Sequence, residues 1–140
     1  MNLELNQTIK MRGINFSNHP SKSWSIEQKN AFRDFVVRHR EISNVDKVDF
    51  EIVDVQFPDI PPDASKSVLE EIANNYVDKI KAYSPQVVMV QGEYGLTYIV
   101  VNMLKQKEIC VVYATTKREV VEKENGEKIS VFKFVQFREY

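Results

Sequence analysis

Between Ile14 and Ser25 the chain reads INFSNHPSKSWS. An apolar, strand-like run breaks off into Ser17, Asn18 and His19, and the single tryptophan, Trp24, stands five residues past the histidine. This is more hydrogen-bonding capacity than a strand-to-helix turn requires. The ordinary pKa of histidine lies near neutrality, so His19 is a candidate general base. Ser17 and Asn18 could position a polar ligand, and Trp24 could stack on a base, a contact worth ~1–3 kcal/mol. Two later stretches have a similar character. Gln91, Gly92 and Glu93, with Thr97 close behind, offer an amide, an unencumbered backbone, a carboxylate and a hydroxyl. Thr115, Thr116, Lys117 and Arg118 offer two hydroxyls and two cations, and the cations could neutralise phosphate charge, Arg118 in a bidentate manner.

Each group also has a plain structural reading. Trp24 could staple a helix to a sheet, and His19, ahead of Pro20, could be a solvated turn residue. Glu93 could cap a helix, where the dipole favours an acid. Lys117 and Arg118 could be charges that guard a sheet edge. The nucleotide loops GxGxxG and GxxxxGK[ST] are absent, as is the nucleophile turn GxSxG. No Cys/His cluster or carboxylate set has metal-ligand spacing, so neither metal nor cofactor is expected.

The elements that must hold these residues follow from the apolar pattern. The chain has 140 residues, 43% hydrophobic and 28% charged, which suits one globular domain. A net charge of −1 gives no electrostatic case for binding long nucleic acid. Cys110, the lone cysteine, lies in the apolar run ICVVYA and is expected to be buried. No run approaches the ~20 residues of a membrane span, and Met1–Lys10 lacks a signal-peptide core, so the expected location is cytoplasmic.

Residues 1–9 read as a tail or extension ahead of a single domain over 10–140. A first strand covers Met11–Phe16. Ser25 and Gln28 have capping-box spacing for a helix over Ser25–Arg40. Lys47–Phe57 alternates as a strand and stops at the prolines of PDIPPD. Leu69, Ile72, Ala73, Tyr76, Val77 and Ile80 form a helical stripe, with Ser67 and Glu70 as its predicted cap. QVVMVQ and EICVVYA are continuous apolar runs of the kind found in buried parallel strands. Between them LTYIVVNMLKQK is a helix apolar on nearly all sides, so something besides the sheet must cover it. A second copy of the chain is the preferred cover, a C-terminal element of the same chain the alternative. Asn125-Gly126 between Arg118–Glu124 and Glu127–Phe137 predicts a hairpin with a type I′ turn. The sum is an α/β, Rossmann-like three-layer domain, with a four-stranded parallel core and a C-terminal β-hairpin. In such sheets ligands bind beyond the carboxyl ends of the strands, which would gather the polar stretches on one rim.

The blocks NFSNHPS, FPDIPP, VQGE, ATTKR and FVQFREY, in this order of elements, resemble the small stand-alone CRISPR-associated Rossmann-fold (CARF-like) proteins of type III systems. The resemblance covers about residues 10–140. It implies a homodimer that binds a cyclic oligoadenylate across its two-fold axis. Signalling members carry a fused output domain. A receptor lacking one is expected to destroy the messenger, as a ring nuclease acting on cyclic tetra-adenylate. Metal-independent cleavage would use the ribose 2′-OH as nucleophile. Lys117 or Arg118 would stabilise charge, His19 would act as base, and Ser17, Asn18 and Thr115 would position the ring. The alternatives are a non-catalytic regulator that binds the same messenger, and an unrelated nucleotide-phosphate-binding α/β domain.

Overall fold

In a computed structural model describing residues 8–40 and 47–140, eight main elements alternate: β1 (Ile9–Ser17), α1 (Ile26–His39), β2 (Val48–Gln56), α2 (Lys66–Lys81), β3 (Val87–Val90), α3 (Tyr94–Gln106), β4 (Cys110–Glu122) and β5 (Lys128–Glu139). The predicted tail falls on residues 1–7, outside the described residues, and on the start of β1, which begins at Ile9. The strands form one sheet in the order β2-β1-β3-β4-β5. The first four run parallel and β5 runs antiparallel to β4.

The sheet therefore has five strands rather than a four-stranded core carrying a separate hairpin. β4 passes straight through Thr115–Thr116, where a register shift marks a β-bulge, and itself becomes the first hairpin arm. A bulge lets a strand twist away from its neighbours without ending. β3 pairs with β4 only as far as Val112, so the distal part of β4 is laddered to β5 alone. The turn also differs from the type I′ expectation. The amide of Gly126 donates to the Lys123 carbonyl (2.9 Å), and in the turn only Gly126 has a positive φ, at 84°. That is a type I turn closed by one left-handed residue, the three-residue hairpin loop.

Alternation along the strands sorts side chains into two cores. Ile14, Phe16, Val88 and Val90 pack with α2 and α3 on one face. Met11, Val87, Met89 and Phe137 pack with Phe32, Phe35 and Val36 of α1 on the other. The product is a three-layer α/β domain. The α3 stripe Leu96, Val100 and Leu104 is completely buried, and its second cover is chiefly α2, which packs along it. At the far end the Lys105 ammonium donates to the Tyr140 carbonyl (3.1 Å).

Local chemistry sets the helix starts. Ser25 caps α1, its hydroxyl accepting from the Gln28 amide (3.1 Å). The α2 cap is Ser65 rather than Ser67. Its extended backbone (φ −75°, ψ 164°) aims the hydroxyl at the Val68 amide, 3.3 Å away, and starts the helix two residues before the predicted cap. No helix among the described residues is long and apolar enough to cross a membrane.

Candidate ligand site at the strand ends

The strand order places a switch point between β1 and β3. The chain leaves β1 for α1 on one face and leaves β3 for α3 on the other, so the two connections diverge and open a crevice beyond the strand ends. A cleft of about 460 Å³ lies there. Ser17, His19 and Trp24 line it from the β1 end, Gln91 from the β3 end, and Thr116 from β4. Ser23, Gln28 and Met89 complete that side, and Phe132 and Phe134 of β5 form the opposite wall. Clefts of similar size open elsewhere, one of about 400 Å³ at the other end of the sheet beside His39 and Cys110. Topology, not volume, singles out the strand-end cleft.

Most of the polar groups in the first loop turn inward. Asn15 and Ser17 are the two buried polar side chains among the described residues. The Asn15 amide donates to the His19 carbonyl (2.8 Å) and to Asp54 Oδ1 (2.9 Å), while its own oxygen accepts from the Ser17 hydroxyl (2.7 Å). Asp54 also accepts from the Ser21 amide (3.1 Å) and the Ser21 hydroxyl (3.1 Å). The His19 carbonyl further receives the Trp24 indole N–H (3.3 Å). One knot of hydrogen bonds therefore pins the loop after β1 to β2 and holds Trp24. That tryptophan is only 8% exposed, packed against Phe32 and Phe137 with ring centroids 5.5 and 5.8 Å away. It borders the cleft as a staple of α1 and leaves little open face for a base.

The other ends behave similarly. Gln91 Oε1 accepts from the Ala114 amide (2.9 Å) and Nε2 lies 3.5 Å from the Ala114 carbonyl. The side chain thus extends the β3–β4 ladder past Met89↔Val112, where backbone pairing stops. Asn18 accepts from Gln56 (3.0 Å), toward β2. The Glu93 carboxylate accepts from the amides of Gly95 and Leu96 and caps α3. It occupies the position at which a helix N-terminus would hold a phosphate. At Gly92 a Cβ would come within 2.5 Å of the Phe57 ring, so this glycine is explained by packing. The Thr97 hydroxyl is buried and has no partner among the described residues. Thr115 donates to the Gln136 carbonyl (3.2 Å).

The cations divide between the hairpin faces. Thr116 pairs with Phe134 and Arg118 with Phe132, so alternation puts Arg118 on the face that carries the aromatic wall. Arg118 Nε donates to Ser130 Oγ (3.0 Å). Lys117, opposite Lys133, points to the other face. The cleft thus gathers Ser17, His19, Trp24, Gln91 and Thr116. Asn18, Gly92, Glu93, Thr97, Thr115, Lys117 and Arg118 do not line it. Among the described residues the His19 ring, the Gln28 side-chain amide and the Thr116 hydroxyl make no hydrogen bond, so these are the groups free to meet a ligand. Phe132 and Phe134 are not singled out by the sequence, and Gln28 only as a helix-capping residue. Their signals were the alternation FKF beside Thr116 and the glutamine's place in the first turn of α1.

Two groups outside the cleft lining, Cys110 and Tyr140, hold their protons more firmly than usual. Burial, then the charge of Glu139, pushes the Cys110 thiol up to about 12. Glu139 accepts from that thiol (3.5 Å) and sits 3.0 Å from His39 Nε2. Burial, then Tyr113, raises Tyr140, whose hydroxyl donates to the Val90 carbonyl (2.5 Å). No group of three or more His, Cys, Asp or Glu among the described residues is placed to hold a metal.

Fold and cleft together define an α/β domain with a mostly parallel sheet and a candidate ligand site at its strand ends. By sequence the chain belongs to the Uncharacterized protein MJ1673 family, whose model matches residues 11–138. Protein MJ1673 of Methanocaldococcus jannaschii is 33% identical over 90 residues, which cover 58% of this chain and 65% of that protein, just under two thirds of the relative's length. No solved structure matches.

Proposed function

We propose that this protein is a CARF-like ring nuclease, which binds a cyclic oligoadenylate, cyclic tetra-adenylate by preference, and cleaves it by attack of a ribose 2′-OH. The reading rests on one observation: the β1/β3 switch point opens a polar cleft in which the His19 ring is free. In the reaction His19 takes the proton from the 2′-oxygen. That oxygen bonds to phosphorus, and the bond from phosphorus to the 5′-oxygen breaks. The 5′-oxygen leaves with a proton taken from water, and a 2′,3′-cyclic phosphate remains. Arg118 is better placed than Lys117 to neutralise charge, because it shares the hairpin face of Thr116. A ring of four nucleotides is larger than one cleft of about 460 Å³, so two copies would face each other and share it. The reading carries a cytoplasmic location with it.

One observation favours the non-catalytic alternative. No lysine or arginine lines the cleft, and a site without cations binds more readily than it stabilises a transition state. Incubation with cyclic tetra-adenylate in EDTA, with the products resolved, distinguishes the two. Linear fragments ending in a 2′,3′-cyclic phosphate support the nuclease. An intact ring together with a thermal shift supports the binder. An intact ring with no shift removes both.

A further inference from the structure

The strand-end cleft has one aromatic wall, of which internal packing accounts for one ring and leaves the other open. Phe134 is anchored, its ring 5.0 Å from that of Phe137 in the α1-side core. Phe132, two residues earlier on the same face, is 66% exposed. Here the ring stands beside the cleft's unpartnered polar groups rather than on an isolated convex surface. Both phenylalanines also border an adjoining cleft of about 540 Å³ that reaches Gln28, so one open trough runs from Thr116 to the first turn of α1.

We infer that Phe132 and Gln28 form a base-recognition subsite for adenine, with the purine lying on the Phe132 ring and its edge read by the Gln28 side chain. This rests on the reading that the cleft takes an adenylate. Trp24 is a poor stacking surface, because it is only 8% exposed and packs against Phe32 and Phe137. Phe132 is a better one, because its ring is open and its strand is held by the long β4 ladder. Gln28 offers one acceptor and one donor side by side. That pair matches the N6/N7 edge of adenine, an exocyclic amine that donates beside a ring nitrogen that accepts. A 6-oxopurine presents two acceptors there and leaves the Gln28 oxygen facing another oxygen. Arg118, the cross-strand partner of Phe132, places a cation next to the stacked nucleotide, where a phosphate would lie.

The test is calorimetric titration of the full chain with AMP, IMP and cyclic tetra-adenylate, using Phe132→Ala, Phe132→Trp and Gln28→Ala. Loss of one stacked base corresponds to about a 5- to 150-fold weaker Kd, expected for Phe132→Ala and restored by Phe132→Trp. The native chain should prefer AMP to IMP by about 5-fold or more, and Gln28→Ala should abolish that preference. Melting temperatures should stay within a few degrees of the native value, since both side chains face the cleft. If Phe132→Ala binds cyclic tetra-adenylate as tightly as the native chain, the subsite is wrong and the adenylate reading survives. If AMP binds and responds to Phe132→Ala while the cyclic ligand does not bind, the subsite stands and the ring reading falls. If the native chain binds none of the three, both fall.

Discussion

Asn15 is the test of what shapes the cleft. It is 1% exposed in the middle of an apolar strand and makes three hydrogen bonds, to the His19 carbonyl, Asp54 and Ser17. Replacing it with alanine removes all three. Neutral bonds contribute about 0.5–1.5 kcal/mol each and those to a charged group about 1.5–3. The loss is softened because the partners keep other contacts. The His19 carbonyl retains the Trp24 indole, and Asp54 retains Ser21. The freed Ser17 hydroxyl can turn to the His19 carbonyl, already 3.3 Å away. The expected cost is therefore about 2–4 kcal/mol. For a chain of this length that lowers Tm by about 6–15 °C. Thermal melts by circular dichroism, with urea unfolding as a second measure, provide the check. Asn15→Asp is the informative companion, because it keeps the acceptor for Ser17 but sets a second carboxylate against Asp54. Two such carboxylates share a proton more readily folded than unfolded. The folded variant then binds more protons, so it should recover stability relative to the native chain as the solution is acidified. If Asn15→Ala melts within about 2 °C of the native protein, the knot does not hold the loop, and the argument that it shapes the cleft fails.

Two further outcomes follow from packing and burial. Gly92→Ala would press a methyl within 2.5 Å of Phe57, a ring 2% exposed and packed 4.7 Å from Phe16, so it cannot retreat; the expected cost is about 1–3 kcal/mol, and an unchanged urea midpoint would refute it. The Cys110 thiol, raised from 9.0 to about 12 by burial first and Glu139 second, should react with iodoacetamide at pH 8 far more slowly in the folded chain than in the unfolded one, and Glu139→Gln should speed it; equal rates folded and unfolded would contradict the assignment. Because the folded thiol holds its proton more firmly, its contribution to stability is complete below pH 9 and is lost as pH rises from 9 toward 12.

The fold was legible wherever burial leaves an unmistakable pattern. All four residues of β3 are buried, so VVMV had to be a continuous apolar run. The α2 stripe and the Ser25 cap reflect local geometry that needs no distant partner. Reading failed where two local solutions compete and tertiary context chooses. Ser65 and Ser67 both precede good helix formers, and their hydroxyls lie 3.0 Å apart, so spacing cannot decide which one caps. Asn-Gly serves two-residue and three-residue hairpin loops alike. The pairing of Glu122 with Lys128 decides for the longer one. Thr115–Thr116 looked like the end of a strand because a β4 beyond the reach of β3 has no need of apolar side chains. The hairpin there is a ribbon with solvent on both faces.

The site was legible in place but not in detail, for a reason that lies in Asn15. A sequence displays donors and acceptors without saying which of them meet each other. Ser17, Asn18, Gln91 and Glu93 look like ligand groups because strand ends must satisfy their own backbone and buried amides, which demands the same residue types that binding does. The distinguishing mark is an inward position. Asn15, between Ile14 and Phe16, lies on the α1 face of a central strand, where a polar side chain is buried and must find partners. Those partners are the serine two residues on, the carbonyl four residues on and the acid across the ladder at Asp54. Once they are assigned inward, the loop after β1 has little left for a ligand except the His19 ring. The open surface of the cleft then comes from elements that face it without being needed to build it, which is why the proposed subsite draws on the aromatic wall of β5 and the Gln28 amide.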